Sequence, residues 1–470
     1  MRAHEAGALH GDIGNRGPAW LRPPVDVNDL VPLLWPRHVA RGASGALTVA
    51  GLDVRDLAAE FGTPVYVLDE DDLRARSREF RDAFPDADVY YAGKAFLCRA
   101  VVRMIAEEGL FLDVCTGGEL ATALSAGMPP ERIGFHGNNK SVTELTRAVD
   151  AGVGRIIVDS FAEIDRLTAL ARERGVRPKV LVRVTVGVEA HTHEFIATAH
   201  EDQKFGFSLA GGAAAAAAFK ILDEDVLELR GLHSHIGSQI FDASGFEVSA
   251  RRVLALQAQI RDARGVELPE LDLGGGFGIA YTTQDDPAAP HDLAKRLRKI
   301  VDGECAAENL AVPHLSIEPG RAIVGPAVFT LYEVGTVKSV PLGGTGGGAA
   351  DGRAYVSVDG GMSDNIRTAL YDASYSATVA NRASAAEPML ARVVGKHCES
   401  GDIVVKDEFL PADVQPGDLV AVPGTGAYCR SMASNYNHVP RPPVVAVRDG
   451  RARLIVRRET EDDLLALDVG

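Results

Sequence analysis

Cysteine, positive charge and long apolar runs are all scarce in this chain. The five cysteines (Cys98, Cys115, Cys305, Cys398, Cys429) are odd in number, widely spread and without CxxC or zinc-finger spacing. That argues against a disulfide framework and for a reducing compartment. Basic residues number 49 against 65 acidic ones, a net charge of −16. Such a balance disfavours nucleic acid or an anionic membrane as partner. No uninterrupted apolar run is long enough to span a bilayer, and Met1 to Pro24 lacks the apolar centre of a signal peptide. The expected location is the cytoplasm. A small anionic substrate would need arginines gathered locally.

A chain of 470 residues exceeds what one core usually organises, so two domains are expected. From Asp71 onward, short β-rich runs alternate with amphipathic helical stretches. The runs are Ala87–Tyr91, Phe111–Cys115, Arg132–His136, Arg155–Asp159, Lys179–Val186, Leu229–Ile236, Leu271–Leu273 and His314–Ile317. Eight β/α alternations predict an α/β fold, a closed parallel (β/α)8 TIM barrel, with Asp71–Phe84 as a helix before the first strand. Leu97, Val101, Met104 and Ile105 share one helical face, as do Phe161, Ile164, Leu167 and Ala171. Gly211–Ala218 is Ala-rich and reads as helix. After Gly325, Val-, Thr- and Tyr-rich segments between glycine and proline turns suit a mainly antiparallel β domain, sandwich- or barrel-like. Leu47–Val49 and Pro64–Leu68 can join it from the other chain end. The expected organisation is a flexible arm over 1–25, a β domain from 26–69 and 326–470, and the barrel over 70–325. Gly343–Gly352 reads as a flexible insertion in the β domain rather than a phosphate cradle.

Lys94 follows the first run, where a barrel strand opens into a loop, and such a lysine can form a Schiff base with an aldehyde cofactor. Leu271-Asp272-Leu273-Gly274-Gly275-Gly276 places glycines after the seventh run, where backbone N–H groups can ring a phosphate. The spacing is GGGFG, not the GxGxxG of a dinucleotide site. Glu318-Pro319-Gly320-Arg321 closes the eighth run. There Glu318 can keep a pyridine nitrogen protonated and Arg321 can fork a carboxylate; a plain Glu–Arg ion pair is the bland alternative. His233 and His235 project from one face of the sixth run, as metal ligands, as a ring stacked on a flat cofactor, or as core histidines. His191-x-His193 is a weaker metal candidate. Arg367 and Tyr371 lie one helical turn apart and can reach one anionic group. Cys398 and Glu399 combine a thiol with a carboxylate, and Tyr428 sits in a glycine turn.

YYAGKAF, HSHIGSQ, LDLGGGFG, EPGR, DNIRTALY, CESGD and GAY, in this order, resemble the diaminopimelate decarboxylase family from about residue 45 to the C-terminus. That family belongs to the alanine-racemase-like, fold type III class of pyridoxal-phosphate enzymes and makes L-lysine from meso-diaminopimelate. The resemblance implies that Lys94 bonds the cofactor and that His235 lies on its face. It puts Ser238, Gly274, Gly275 and Gly276 at the phosphate, and Glu318 at the pyridine nitrogen. Asp113 and Gly320 are also implied at the cofactor. Arg321, Arg367 and Tyr371 would bind substrate carboxylate, Glu399 the distal amino group, and Tyr428 would border both ligands. Cys398 would donate the proton, and with Glu399 would come from the partner subunit of a homodimer with shared active sites.

Two rival activities are open to the same residues. A decarboxylase of ornithine, arginine or carboxynorspermidine would share the fold, but for ornithine or arginine it would want an anionic pocket where Arg321 and Arg367 stand. A metal-dependent barrel hydrolase could use His233 and His235, yet would leave Lys94, the glycines and Glu318 without a role. A cofactor carrier made of the barrel alone would not need the β domain's arginine, cysteine and tyrosine motifs.

Overall fold

The computed structural model describes residues 17–187, 204–341 and 352–470. Most of the arm, His191-x-His193 and most of the Gly343–Gly352 segment lie outside the described residues. The chain divides into two compact units, one of Arg74–Gly278 with Pro287–Ile323 and the other of Met1–Leu73, Ile279–Asp286 and Val324–Gly470.

The first unit is a closed ring of eight parallel strands: β1 (Ala87–Ala92), β2 (Phe111–Val114), β3 (Ile133–Phe135), β4 (Arg155–Val158), β5 (Lys179–Thr185), β6 (Glu228–His233), β7 (Glu270–Asp272) and β8 (His314–Ile317). β8 returns to β1 through Leu315↔Ala87 and Ile317↔Val89, and β4 meets β5 through Ile157↔Leu181. All eight expected runs are therefore strands. The helix ahead of β1 spans Glu70–Ala83, one residue from the expected limits. Val101, Met104 and Ile105 are buried on the helix after β1, whereas Leu97 precedes that helix. Ile164, Leu167 and Ala171 are buried after β4, and Phe161 remains exposed. The Ala-rich stretch is the helix Ala213–Glu224, whose small side chains bury Ala214, Ala215, Ala217 and Ala218.

The barrel's two ends differ in chemistry. At the N-terminal end Glu270 of β7 receives a two-pronged grip from Arg155 of β4 (Nε 2.5 Å) and a bond from Nε of Arg230 (2.8 Å). Burial opposes ionisation of Glu270, but the arginine hydrogen bonds outweigh it and hold the carboxyl below the usual range. The C-terminal end is lined by His, Asp and Glu.

The second unit is built on a nine-stranded sheet. Val65–Asp69, buried throughout, runs between Val328–Pro341 (antiparallel) and Val444–Arg448 (parallel). Gly352–Val358 and Pro388–Val394 are also parallel. The remaining pairings are antiparallel. The sheet is thus mixed, with each parallel pair joined by a long crossover that no hairpin could replace. Leu47–Val49 belongs to a separate three-stranded sheet with Val39–Arg41 and Leu52–Asp53. Its apolar residues join one core with Trp35, Leu57, Val65, Val67, Phe329, Leu331 and Val445.

Replacing Glu270 by Gln should lower unfolding free energy by about 2–4 kcal/mol, because two arginines lose their charged acceptor. Because the folded carboxyl titrates below its unfolded value, this contribution is full above the ordinary glutamate range and fades as pH falls through the folded value. Urea midpoints of both proteins against pH measure it. Equal midpoints at neutral pH would contradict it.

Candidate active site

Each polar residue of the barrel's C-terminal mouth is delivered by a strand end. Asp113 is on β2, His136 follows β3, His233 ends β6, Asp272 ends β7 and Glu318 follows β8; all are buried. Glu318 Oε1 lies 3.2 Å from Nε2 of both His136 and His233, and Asp113 Oδ1 is 3.6 Å from His136 Nε2. The two imidazoles meet edge to face at 5.0 Å. Neither contact to Glu318 Oε1 is an aligned hydrogen bond, so this buried oxygen has unmet acceptor capacity.

Three carboxyls in one dry cluster cannot all ionise. Burial, reinforced by the charge on Glu318, pushes Asp113 and Asp272 well above the carboxylate range. Burial acts on Glu318 too, but His136, His233 and His235 around it hold it well below that range. Glu318 therefore carries the cluster's negative charge. Burial pushes His136, His233 and His235 below the usual imidazole range against the pull of Glu318, and Lys94 adds to the downward shift at His235.

The glycine run after β7 wraps onto this cluster. Gly274 N–H donates to Asp272 Oδ1 (2.8 Å) and Gly275 N–H to His235 Nδ1 (3.1 Å). That second bond makes Nδ1 the acceptor nitrogen of His235. Gly274 has φ +69°, and a Cβ there would stand 2.5 Å from Ser234 O. Gly276 has φ +113° and would put a Cβ 2.6 Å from Gly237 O. Only glycine fits either position. Gly320 packs on β1, where a Cβ would lie 2.8 Å from Ala92 O. Arg321 is buried and donates from Nη2 to Ser238 Oγ (2.9 Å). Lys94 lies in the short turn Gly93–Ala95 directly after β1 and is exposed between buried neighbours. Its charge acts on Asp113, His233 and His235, so it belongs to the same mouth.

The second unit holds the other candidates. Asp364 accepts from Gly361 N–H (2.8 Å) and from the Tyr332 hydroxyl, and its carbonyl accepts from Tyr66 Oη (2.5 Å). Burial raises its carboxyl to about 7. These bonds pin the chain ahead of the helix Arg367–Tyr371. Arg367 is buried, but no hydrogen bond joins it to Tyr371; its partner is the hydroxyl of Tyr375 at 2.5 Å. Cys398 and Glu399 are both exposed on a loop tied by Asp402, which accepts from Met362 N–H (2.6 Å) and His397 N–H (2.7 Å). Tyr428 is half-buried with φ +64°, a left-handed conformation rare for a tyrosine.

Comparison with known proteins now bears on this site. The family described as pyridoxal-dependent decarboxylase, pyridoxal binding domain, matches residues 70–325. The diaminopimelate decarboxylase of Mycobacterium tuberculosis is 59% identical over 94% of this chain and 98% of its own. That of Mycobacterium leprae is 56% identical over 100% of both chains. The chain belongs to the diaminopimelate decarboxylases. Among solved structures, a diaminopimelate decarboxylase from M. jannaschii in complex with L-lysine has a TM-score of 0.84 and 31% identity, covering 92% of this chain and 98% of that one.

The barrel residues fit the cofactor for which this family is named. Glu318 offers a buried acceptor oxygen for a protonated ring nitrogen, the glycine backbone approaches without side chains, and Lys94 supplies a primary amine. Among the described residues His136, His233 and Glu318 form the group with metal-ligand spacing. His235, for which the sequence left metal ligation, ring stacking and a core role open, accepts from Gly275 N–H. His136, Asp272 and Tyr375 were not singled out from the sequence. His136 ends a predicted strand and Asp272 precedes the glycines, signals that could have found both.

Glu318→Gln should lower kcat at least about 100-fold, on the scale of losing one preorganised charge. The absorption spectrum should still report bound cofactor. A variant within threefold of the parent would remove Glu318 from the ring-nitrogen role.

Proposed function

We propose that the protein decarboxylates meso-2,6-diaminopimelate to L-lysine and carbon dioxide, the last step of lysine biosynthesis, in the cytoplasm. The observation that carries this reading is the buried Glu318 oxygen with unmet acceptor capacity, against the glycine run and in the mouth that also holds Lys94. The identity to diaminopimelate decarboxylases over nearly full length supports the substrate. No helix among the described residues is long and apolar enough to cross a membrane.

When bound, pyridoxal phosphate supplies the carbonyl that captures an amine and the ring that accepts an electron pair. Lys94 anchors it through Nζ. Gly274, Gly275, Gly276 and Ser238 bind the phosphate, His235 covers the ring, and Glu318 accepts from the ring nitrogen. Asp113 and Gly320 bound the same space. Arg321, Arg367 and Tyr371 bind the carboxylate that stays, which favours a dicarboxylic substrate over ornithine. Glu399 takes the distal ammonium, Tyr428 borders substrate and cofactor, and Cys398 Sγ gives a proton to the carbon that loses carbon dioxide. Cys398 and Glu399 serve the site of a second copy in a homodimer, so a closed twofold pair completes two sites at once.

Borohydride should fix the cofactor on the Lys94 peptide, and Lys94→Ala should abolish turnover. Meso-diaminopimelate should be decarboxylated at least about 30-fold faster than L-lysine or L-ornithine, the cost of one lost charged contact. Equal rates on ornithine, or an unlabelled Lys94, would reject the assignment.

Mixing inactive Lys94→Ala with inactive Cys398→Ala should restore part of the activity, since the hybrid dimer holds one intact site. Subunits that demonstrably exchange while activity stays absent would place both residues in one subunit's site.

A further inference from the structure

Arg367 is a buried guanidinium, 5% exposed, whose contacts among the described residues include no carboxylate. Its Nη1 donates to Tyr375 Oη at 2.5 Å. Its Cζ lies 4.7 Å from the Tyr281 ring centroid and 5.6 Å from that of Tyr375. The two rings meet edge to face at 5.1 Å, which fixes the angle between the faces presented to the cation. Tyr375 Oη is also 3.6 Å from Cys429 Sγ, and that sulfur is 3.5 Å from Asn365 Oδ1. Asn365 Oδ1 accepts from the backbone N–H of Arg367 at 3.3 Å, closing a ring of contacts that begins and ends on the arginine.

A buried cation without an anion is costly, and π faces with one hydroxyl compensate only in part. Among the described residues the one hydrogen-bond acceptor of the Arg367 side chain is the Tyr375 hydroxyl, and Nε is buried without a hydrogen bond. A guanidinium held at Nη1 and against ring faces keeps its remaining donors for a carboxylate.

We infer that Tyr375 is a positioning residue, which with Tyr281 locks Arg367 so that its guanidinium receives the substrate carboxylate that is not lost. Resting on the proposed function, this makes Tyr375 a determinant of the preference for a dicarboxylic amino acid. L-Lysine keeps the same carboxylate, so substrate and product depend on the cage alike. The chemistry at the reacting carbon does not.

The test is steady-state kinetics of the holoenzyme carrying Tyr375→Phe, which removes one oxygen and keeps the ring. KM for meso-diaminopimelate and the inhibition constant of L-lysine should each rise about tenfold, the size of one hydrogen bond to a charged group. In the same protein kcat should stay within about twofold, with the cofactor absorption band and thermal midpoint unmoved. Tyr281→Leu, which removes the ring face, should raise both constants as well, and decides the matter if Tyr375→Phe fails to fold. Unchanged constants in the folded variants, or a fall in kcat at constant KM, would overturn the inference. Arg367→Ala separates it from the reading beneath it. If that variant keeps its KM, Arg367 does not bind substrate and the assignment under the proposed function fails. If it raises KM while Tyr375→Phe does not, only the positioning role falls.

Discussion

One negative charge inside the barrel, on Glu318, constrains most of what surrounds it. A buried carboxylate without a close cation costs several kcal/mol unless dipoles and donors compensate it. Here His136 after β3, His233 at the end of β6 and His235 lower the Glu318 carboxyl, while burial and the Glu318 charge push up Asp113 on β2 and Asp272 on β7. No single strand could supply that set. A closed barrel can, because parallel strands bring all their C-terminal ends to one rim. The opposite rim is occupied by Arg155, Arg230 and Glu270, so cohesion and chemistry are kept at different ends of the same strands.

Much of this was legible in the sequence. Eight β-rich runs alternating with amphipathic helical stretches mark the strands, and Lys94, Gly274 and Glu318 stand at run ends, where a barrel gathers its functional groups. What was illegible depends on contacts between residues far apart in the chain. His136 matters because it meets Glu318 from the opposite wall, and no spacing announces that. The two parallel pairings of the second unit likewise depend on crossovers that local patterns do not encode.

Tyr375 illustrates the limit at short range. Helical spacing from Arg367 points to Tyr371, four residues on. The helix, however, ends at Asp372, whose φ of +53° and ψ of 28° lie in the left-handed region. That residue turns the chain back, and the hydroxyl that reaches Arg367 belongs to Tyr375 instead. A single backbone conformation thus replaces the neighbour expected from periodicity with one eight residues away.

Asp272 joins two functions in one side chain. Its carboxyl accepts from Gly274 N–H at the head of the glycine run and belongs to the acid cluster, where burial and the Glu318 charge push it up. The glycine run and the acid cluster therefore touch through one group, so an anion held by that backbone and a proton held in the cluster would be thermodynamically linked. A proton bound in the cluster would change the affinity for that anion by the same factor by which the anion changes the affinity for the proton. Retention of an anionic ligand by this barrel would, on that account, vary with pH.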